Sequence, residues 1–244
     1  MGTKIPLLKM TQKDVAQAHK YPFQICLQTQ EFLQAAIFYT AFTDIATSQY
    51  IRIEGKLDEI EGIFTEQLYE KKSYDECWGF LQRYFEIFKK GAFQNVIVSL
   101  NSHWDWYIRN LGQFIYFSRN HIESPQLNSQ QRNDLSRIGR CSILRQLEII
   151  EATAGVELEI SENDKEYLKE MSLVRNLGLH NRWEIDEKYI EQTGRTDVEA
   201  GDLRFVEINE LNLWHGALIN TLGETCRKVA IKFVSAPAYP SSTI

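Results

Sequence analysis

Apolar residues recur at helical spacing through most of this chain. Phe93, Val96, Ile97, Leu100, Trp104, Tyr107, Ile108, Leu111, Phe114 and Ile115 fall three or four residues apart for about six turns, which predicts one long amphipathic helix. A second long helix is expected over residues 23–53, where Phe32, Ala35, Ala36, Tyr39 and Phe42 share a face. Thr11 can cap a short helix before it, running through Ala16. Ser73-Tyr74-Asp75-Glu76 has the form of a capping box and predicts a helix through Lys89, with Gly91 as the break after it. Residues 119–133 are polar, contain Pro125, and read as a surface connection. Ile143, Leu147 and Ile150 predict a helix over residues 137–152, closed near Gly155. Asn163 can cap the next helix, which carries Tyr167, Met171 and Val174. Asp186 can start a shorter one ending near Gly194. After Gly201 there is room for a brief strand. Leu211, Trp214, Leu218, Leu222 and Val229 mark a last helix over residues 209–233. Residues 235–244, with Pro237 and Pro240, are expected to fray. Strand signals are nearly missing, so the fold class is all-α, an up-and-down helical bundle.

Composition narrows the class of protein. Hydrophobic residues make up 43% of the 244-residue chain and charged residues 25%, proportions that allow one sizeable core. A formal charge of -6 argues against a protein that coats nucleic acid through a basic surface, while leaving room for one local basic cleft. Cys26, Cys77, Cys141 and Cys226 are scattered without a CxxC pair, which reads as buried or free thiols in a reducing compartment. The most apolar run, residues 32–42, is interrupted by Gln34 and is too short to span a bilayer. The N-terminal residues lack an apolar signal core, and Pro6 breaks the myristoylation pattern. A cytoplasmic location and no membrane partner are expected.

One short stretch carries chemistry. In Arg175-Asn176-Leu177-Gly178-Leu179-His180 a permanently charged, planar guanidinium suited to phosphate precedes a side chain that exchanges protons near neutral pH. At about 100° per residue, Asn176 and His180 lie one turn apart on the same helical face, with Arg175 flanking it. Gly178 between them lets another backbone or a nucleotide come close.

The string Leu173-Val174-Arg175-Asn176-Leu177-Gly178-Leu179-His180-Asn181, followed by Ile185-Asp186 and Lys188-Tyr189, resembles the HEPN superfamily (higher eukaryotes and prokaryotes nucleotide-binding domain). The signature there is Arg, four to six residues, then His, often with a polar residue directly after the Arg. The long helix bearing Ser102-His103-Trp104-Asp105 sits where members often carry an acidic residue. The resemblance implies a HEPN-type core over residues 91–235, an N-terminal helical extension over 1–90 packed on it, and a flexible tail over 236–244. It implies a homodimeric, metal-independent endoribonuclease, plausible as a toxin or phage-defence effector with an antitoxin or defence-system partner, and no cofactor. In that reaction the RNA 2′-hydroxyl attacks the neighbouring phosphorus, which requires a base, an acid and positive charge on the phosphorane. The resemblance assigns proton transfer to His180, phosphate stabilisation to Arg175, orientation of either to Asn176, and a supporting role to Asp105. Members modified by a partnered nucleotidyltransferase often carry His-x-Tyr after the signature. Arg182 stands in the tyrosine position, which argues against that subtype.

Competing readings accompany each residue. Arg175 can instead pair with Glu170 while His180 caps its helix. Arg132, Arg137, Arg140 and Arg145 form a basic stretch that, with Arg182, can track an RNA backbone or simply be a solvated face. Trp104, Trp106 and Tyr107 are expected in the core rather than stacked on bases. His103 and Asp105 point to different helix faces and form no metal pair, and no HExxH or Cys/His cluster occurs, so no metal site is expected. The alternative for the whole chain is a non-catalytic HEPN module that binds nucleotide or RNA, or a dimerisation scaffold.

Overall fold

The computed structural model describes residues 21–51, 74–120, 128–139 and 141–234. Seven α-helices run through them: α1 (Tyr21–Ile51), α2 (Tyr74–Asn120), α3 (Ser129–Ile138), α4 (Ile143–Ala154), α5 (Glu162–His180), α6 (Glu187–Thr193) and α7 (Ile208–Val234). No strand occurs among the described residues, and the expected strand after Gly201 is reduced to one isolated antiparallel bridge, Glu184 to Leu203. The fold is all-α.

Helix α2 is the spine. Its 47 residues extend roughly 70 Å at the α-helical rise, and α1, α3, α4, α5 and α7 all pack against it. The apolar stripe expected on this helix is buried: Ile97, Leu100, Trp104, Tyr107, Ile108, Leu111 and Ile115 are fully enclosed. They meet Leu168, Met171 and Val174 from α5 and Leu211, Trp214, Leu218 and Leu222 from α7 in one continuous core. Trp106 packs partly against the same cluster, so this aromatic group serves packing, as expected.

Helix boundaries differ from the sequence reading in three places. Gly91 does not break α2, which continues through it; a lone glycine weakens a helix by only about 0.5–1 kcal/mol, which flanking burial of Phe93, Val96 and Ile97 outweighs. The boundary drawn between residues 90 and 91 therefore lies inside a continuous helix. The single helix expected over 137–152 is two helices. Asn128 accepts from the Gln131 amide at 2.8 Å while Gln131 reaches back to the Asn128 amide at 3.0 Å, a capping box that starts α3 within the stretch read as a connection. The chain then turns at Gly139, and Ser142 caps α4. Finally, α5 is capped by Ser161, not Asn163: the Ser161 hydroxyl accepts from the Asp164 amide at 3.1 Å, and Asp164 adds a first-turn carboxylate that favours the helix dipole.

The expected ends at Gly155 and Gly194 hold, both in the left-handed conformation that closes a helix (φ 65° and 67°). Asp186 caps α6, accepting from the Tyr189 amide at 2.7 Å. The helix expected after Thr11, the cap at Ser73, Arg140 and the tail over 236–244 lie outside the described residues. No helix among the described residues is long and apolar enough to cross a membrane.

Candidate functional site

A polar cleft of about 310 Å³ opens where α2, the α3–α4 turn and α5 meet, lined by Asn101, Asp105, Ser142, Ser172, Arg175 and Asn176, with Gly139, Cys141 and Ile143 completing its wall. Helical geometry explains the lining. Asn101 and Asp105 are one turn apart on α2, and Ser172, Arg175 and Asn176 occupy one side of α5, so each pair of facing turns presents polar side chains to the same space. Thus Asp105, Arg175 and Asn176, from segments 70 residues apart in sequence, line one cleft. The Arg175 guanidinium donates to the Asn176 amide oxygen at 3.1 Å, which fixes the fork of Arg175 at the mouth of the cleft.

Asp105 is held from behind. The Gln146 amide nitrogen donates to its carboxylate at 2.7 Å and to the Ile138 carbonyl at 3.1 Å. The Gln146 oxygen accepts from the Trp104 indole N–H at 2.6 Å. Gln146 has no exposed surface, and one buried amide therefore ties the spine helix to the α3–α4 turn and sets the direction of Asp105. Burial raises the Asp105 carboxyl above its ordinary value of 3.8, and the Gln146 bond and the charges of Arg109 and Arg175 oppose that rise. Arg109 lies flat against Gly139, donating to its carbonyl at 3.4 Å. An added Cβ at Gly139 would fall 2.0 Å from the Arg109 guanidinium, so any side chain there would have to displace Arg109 from this contact.

His180 does not line this cleft. It is the last residue of α5 and is exposed to solvent, five residues beyond Arg175, which is a rise of about 7.5 Å. Within one chain the Arg–His pair thus spans from a cleft wall to an open helix end. The Glu170 partner considered for Arg175 is engaged elsewhere: it accepts from Arg204 at 3.3 Å and from Arg195 at 3.4 Å. Gly178 also has a different role from the one expected. An added Cβ would sit 2.4 Å from the Trp183 indole, so the space freed by the missing side chain holds Trp183, not a ligand or another backbone.

The segment after His180 is built to stop α5 sharply. Asn181 and Trp183 both donate backbone N–H groups to the Leu177 carbonyl, at 2.8 and 3.1 Å. Arg182 and Trp183 take positive φ values of 53° and 70°, a costly conformation for side chains of this size. Trp183 is held there by the ridge it fills on Gly178, by its carbonyl accepting from Arg204 at 2.7 Å, and by the side-chain bond from Asn181 to Asp186 at 2.7 Å. Arg204, almost wholly buried, then clamps the loop: its guanidinium donates to the Tyr189 hydroxyl at 3.0 Å and pairs with Glu170 and Glu210. Arg182 projects exposed beside the helix end that carries His180.

The remaining arginines separate. Arg145 is exposed and paired with Glu148 one turn on, a solvated-face contact; Arg132 and Arg137 are exposed on α3. His103 points away from the cleft and stacks on Phe32 of α1, ring centroids 4.7 Å apart, and burial lowers its affinity for a proton. Among the described residues no group of three or more His, Cys, Asp or Glu side chains converges to hold a metal ion.

Gln146 and the Arg204 clamp were not legible as site components in the sequence. A glutamine on an amphipathic helix carries no mark of burial, whereas the polar position between Arg145 and Leu147 on the apolar side of α4 is the one available hint. Comparison with family models, with curated proteins and with solved structures finds no match to this chain.

Proposed function

We propose that this chain is a metal-independent endoribonuclease of HEPN type, acting on RNA as a homodimer in the cytoplasm, as a toxin or phage-defence effector that an antitoxin or defence-system partner would restrain. The observation that carries the reading is the placement of Arg175, backed by Asn176 and facing Asp105, in a polar cleft whose helix ends one and a half turns later in exposed His180.

The chemistry follows from those positions. Arg175 supplies the fixed positive charge that a pentacoordinate phosphorus needs, and Asn176 holds its fork. Asp105 balances Arg175 electrostatically, and Arg175 in turn offsets part of the cost that burial puts on the Asp105 charge. A single chain offers one His180, but transesterification needs both a base and an acid. Two copies related by a two-fold axis through the exposed ends of α5 would supply two His180 and two Arg175 to one RNA strand. One imidazole takes the 2′-hydroxyl proton, and the other protonates the departing 5′-oxygen.

A second reading is favoured by one observation, that His180 stands outside the cleft of its own chain. On it the module binds an RNA or nucleotide phosphate at Arg175 without cleaving it. Incubation of the purified protein with RNA in excess EDTA separates the two. On the nuclease reading the wild type cleaves, and Arg175→Ala and His180→Ala each lose about 10²–10⁴-fold in rate. RNA bound but left intact by the wild type, with binding lost in Arg175→Ala and kept in His180→Ala, establishes the binding module instead.

A further inference from the structure

Away from the Arg175 cleft, two of the cysteines meet. Cys26 on α1 and Cys226 on α7 line one groove between these helices, about 320 Å³ in volume, whose walls are otherwise Phe23, Gly223, Arg227, Ala230 and Ile231. The Cys226 Sγ lies 3.5 Å from the Pro22 carbonyl, to which it can donate, one helical turn before Cys26 on α1, so the two thiols are neighbours on the groove wall. Cys26 is half-buried and faces the groove, whereas Cys226 is buried behind it. The groove shares no residue with the polar cleft, so what happens in it is independent of the nuclease reading.

We propose that Cys26 and Cys226 are an oxidisable dithiol, with Cys26 the attacking thiol and Cys226 the resolving one, that a hydroperoxide converts to a disulfide joining α1 to α7. The division of roles follows from the asymmetry of the pair. Cys26 is the more exposed of the two, so a small oxidant can reach it, and the neighbouring Cys226 thiol holds it below the ordinary range against the opposing effect of burial. The neighbouring Cys26 and burial push Cys226 well up, so it stays protonated beside the first sulfur. Sensor thiols have this arrangement of an accessible, acidified cysteine next to a second one.

The chemistry balances with hydrogen peroxide as oxidant. The Cys26 thiolate attacks one peroxide oxygen, the O–O bond breaks, and the leaving hydroxide takes a proton to become water, leaving a sulfenic acid. The Cys226 sulfur then displaces the sulfenic oxygen, which leaves as a second water with the Cys226 proton. Two thiols are oxidised by two electrons in total, and one peroxide is reduced to two waters. The cross-link ties the first described helix to the last, across 200 residues of sequence, and holds α1 on the bundle.

Peptide mapping of the full-length protein after brief peroxide treatment and alkylation tests this. The expected result is a single linked pair of peptides containing Cys26 and Cys226, a loss of two hydrogen atoms from the intact mass, and full reversal by dithiothreitol. Cys226→Ser should instead leave Cys26 as a sulfenic acid that dimedone traps, and Cys26→Ser should remove both products. Recovery of Cys26 and Cys226 as separately alkylated thiols, at peroxide levels that oxidise Cys141, would overturn the proposal. So would accumulation of sulfinic acid at Cys26 in the wild type, since a resolving thiol in place would have intercepted its precursor. The wild-type map decides the matter even where a variant folds poorly.

Discussion

At Gln146 a single amide satisfies an indole N–H, a carboxylate and a backbone carbonyl that come from different elements. A buried network of this kind stabilises only when every member is paired. Gln146→Leu keeps the volume and orphans the Trp104 indole and the Asp105 carboxylate together, so it should destabilise the fold by about 2–4 kcal/mol, read as a fall in the denaturant midpoint. Asp105 itself carries a signed prediction. Its folded-state pKa lies above the unfolded value, so the folded chain holds this proton more tightly. The stability it contributes is full below the ordinary carboxylate value of 3.8 and is lost as pH rises through the raised folded value. Asp105→Asn removes that dependence. Chemical denaturation of the two proteins from the acid side towards neutrality should show their difference changing across that window and level beyond it. A difference that stays constant with pH would mean that Asp105 is not desolvated as the cleft geometry requires.

At the scale of the helix, α5 is shaped by what ends it. Gly178 and Trp183 fit each other at a distance that no side chain could share, and this fit helps to hold Arg182 and Trp183 in left-handed conformations. Gly178→Ala should therefore destabilise by about 1–3 kcal/mol. In a Trp183→Ala background the same change should become neutral or stabilising, since alanine outranks glycine in an open helix by up to about 1 kcal/mol. A double-mutant cycle measures this sign reversal, and equal effects in both backgrounds would show that Trp183 does not occupy that ridge. Gly91 provides the contrast. Nothing lies within 4 Å of where its Cβ would be, and α2 is continuous there. Gly91→Ala should stabilise by about 0.5–1 kcal/mol, and a loss of stability would point to a break in the helix.

These two glycines also show why the sequence was readable in part. Periodicity located the buried stripes of α2 and α7, and on α5 Met171 and Val174, because burial on one face of a helix is written in the spacing of apolar side chains; on α1 it fails, since Phe32, Tyr39 and Phe42 are exposed and Ile25 and Leu33 are the buried residues. A glycine carries no such record. The same letter is a helix end at Gly155, a passenger at Gly91, and a contact surface at Gly178, and only the three-dimensional neighbours distinguish them. Caps fell between these cases. Asp186 was legible, whereas the Asn128–Gln131 box lay inside a polar run where composition outweighed the pattern. In the cleft, Arg175 and Asn176 are legible from their chemistry and Asp105 only from the family resemblance, and the fold lines one space with all three. Gln146 was missed because a buried amide looks the same in sequence as a solvated one.

The whole molecule is acidic, at -6, and among the described residues the exposed Arg145 and Arg227 are paired with glutamates while Arg132 and Arg137 are spread over α3. On the proposed function, long-range attraction to RNA would be weak, and binding would rest on the few contacts around Arg175, Asn176 and the α5 end. Dimerisation is the step that would concentrate them. A mass measured in solution should accordingly be that of two chains at concentrations where RNA is cleaved, and a strictly monomeric active protein would remove the composite site from the mechanism. The most direct measurement is the chemistry of the RNA ends produced by the wild-type protein in excess EDTA. Attack by the 2′-hydroxyl predicts a 2′,3′-cyclic phosphate on one fragment and a 5′-hydroxyl on the other, with no cleavage next to a 2′-deoxy position. Fragments that carry 5′-phosphates, or equal cleavage beside deoxynucleotides, would contradict the account.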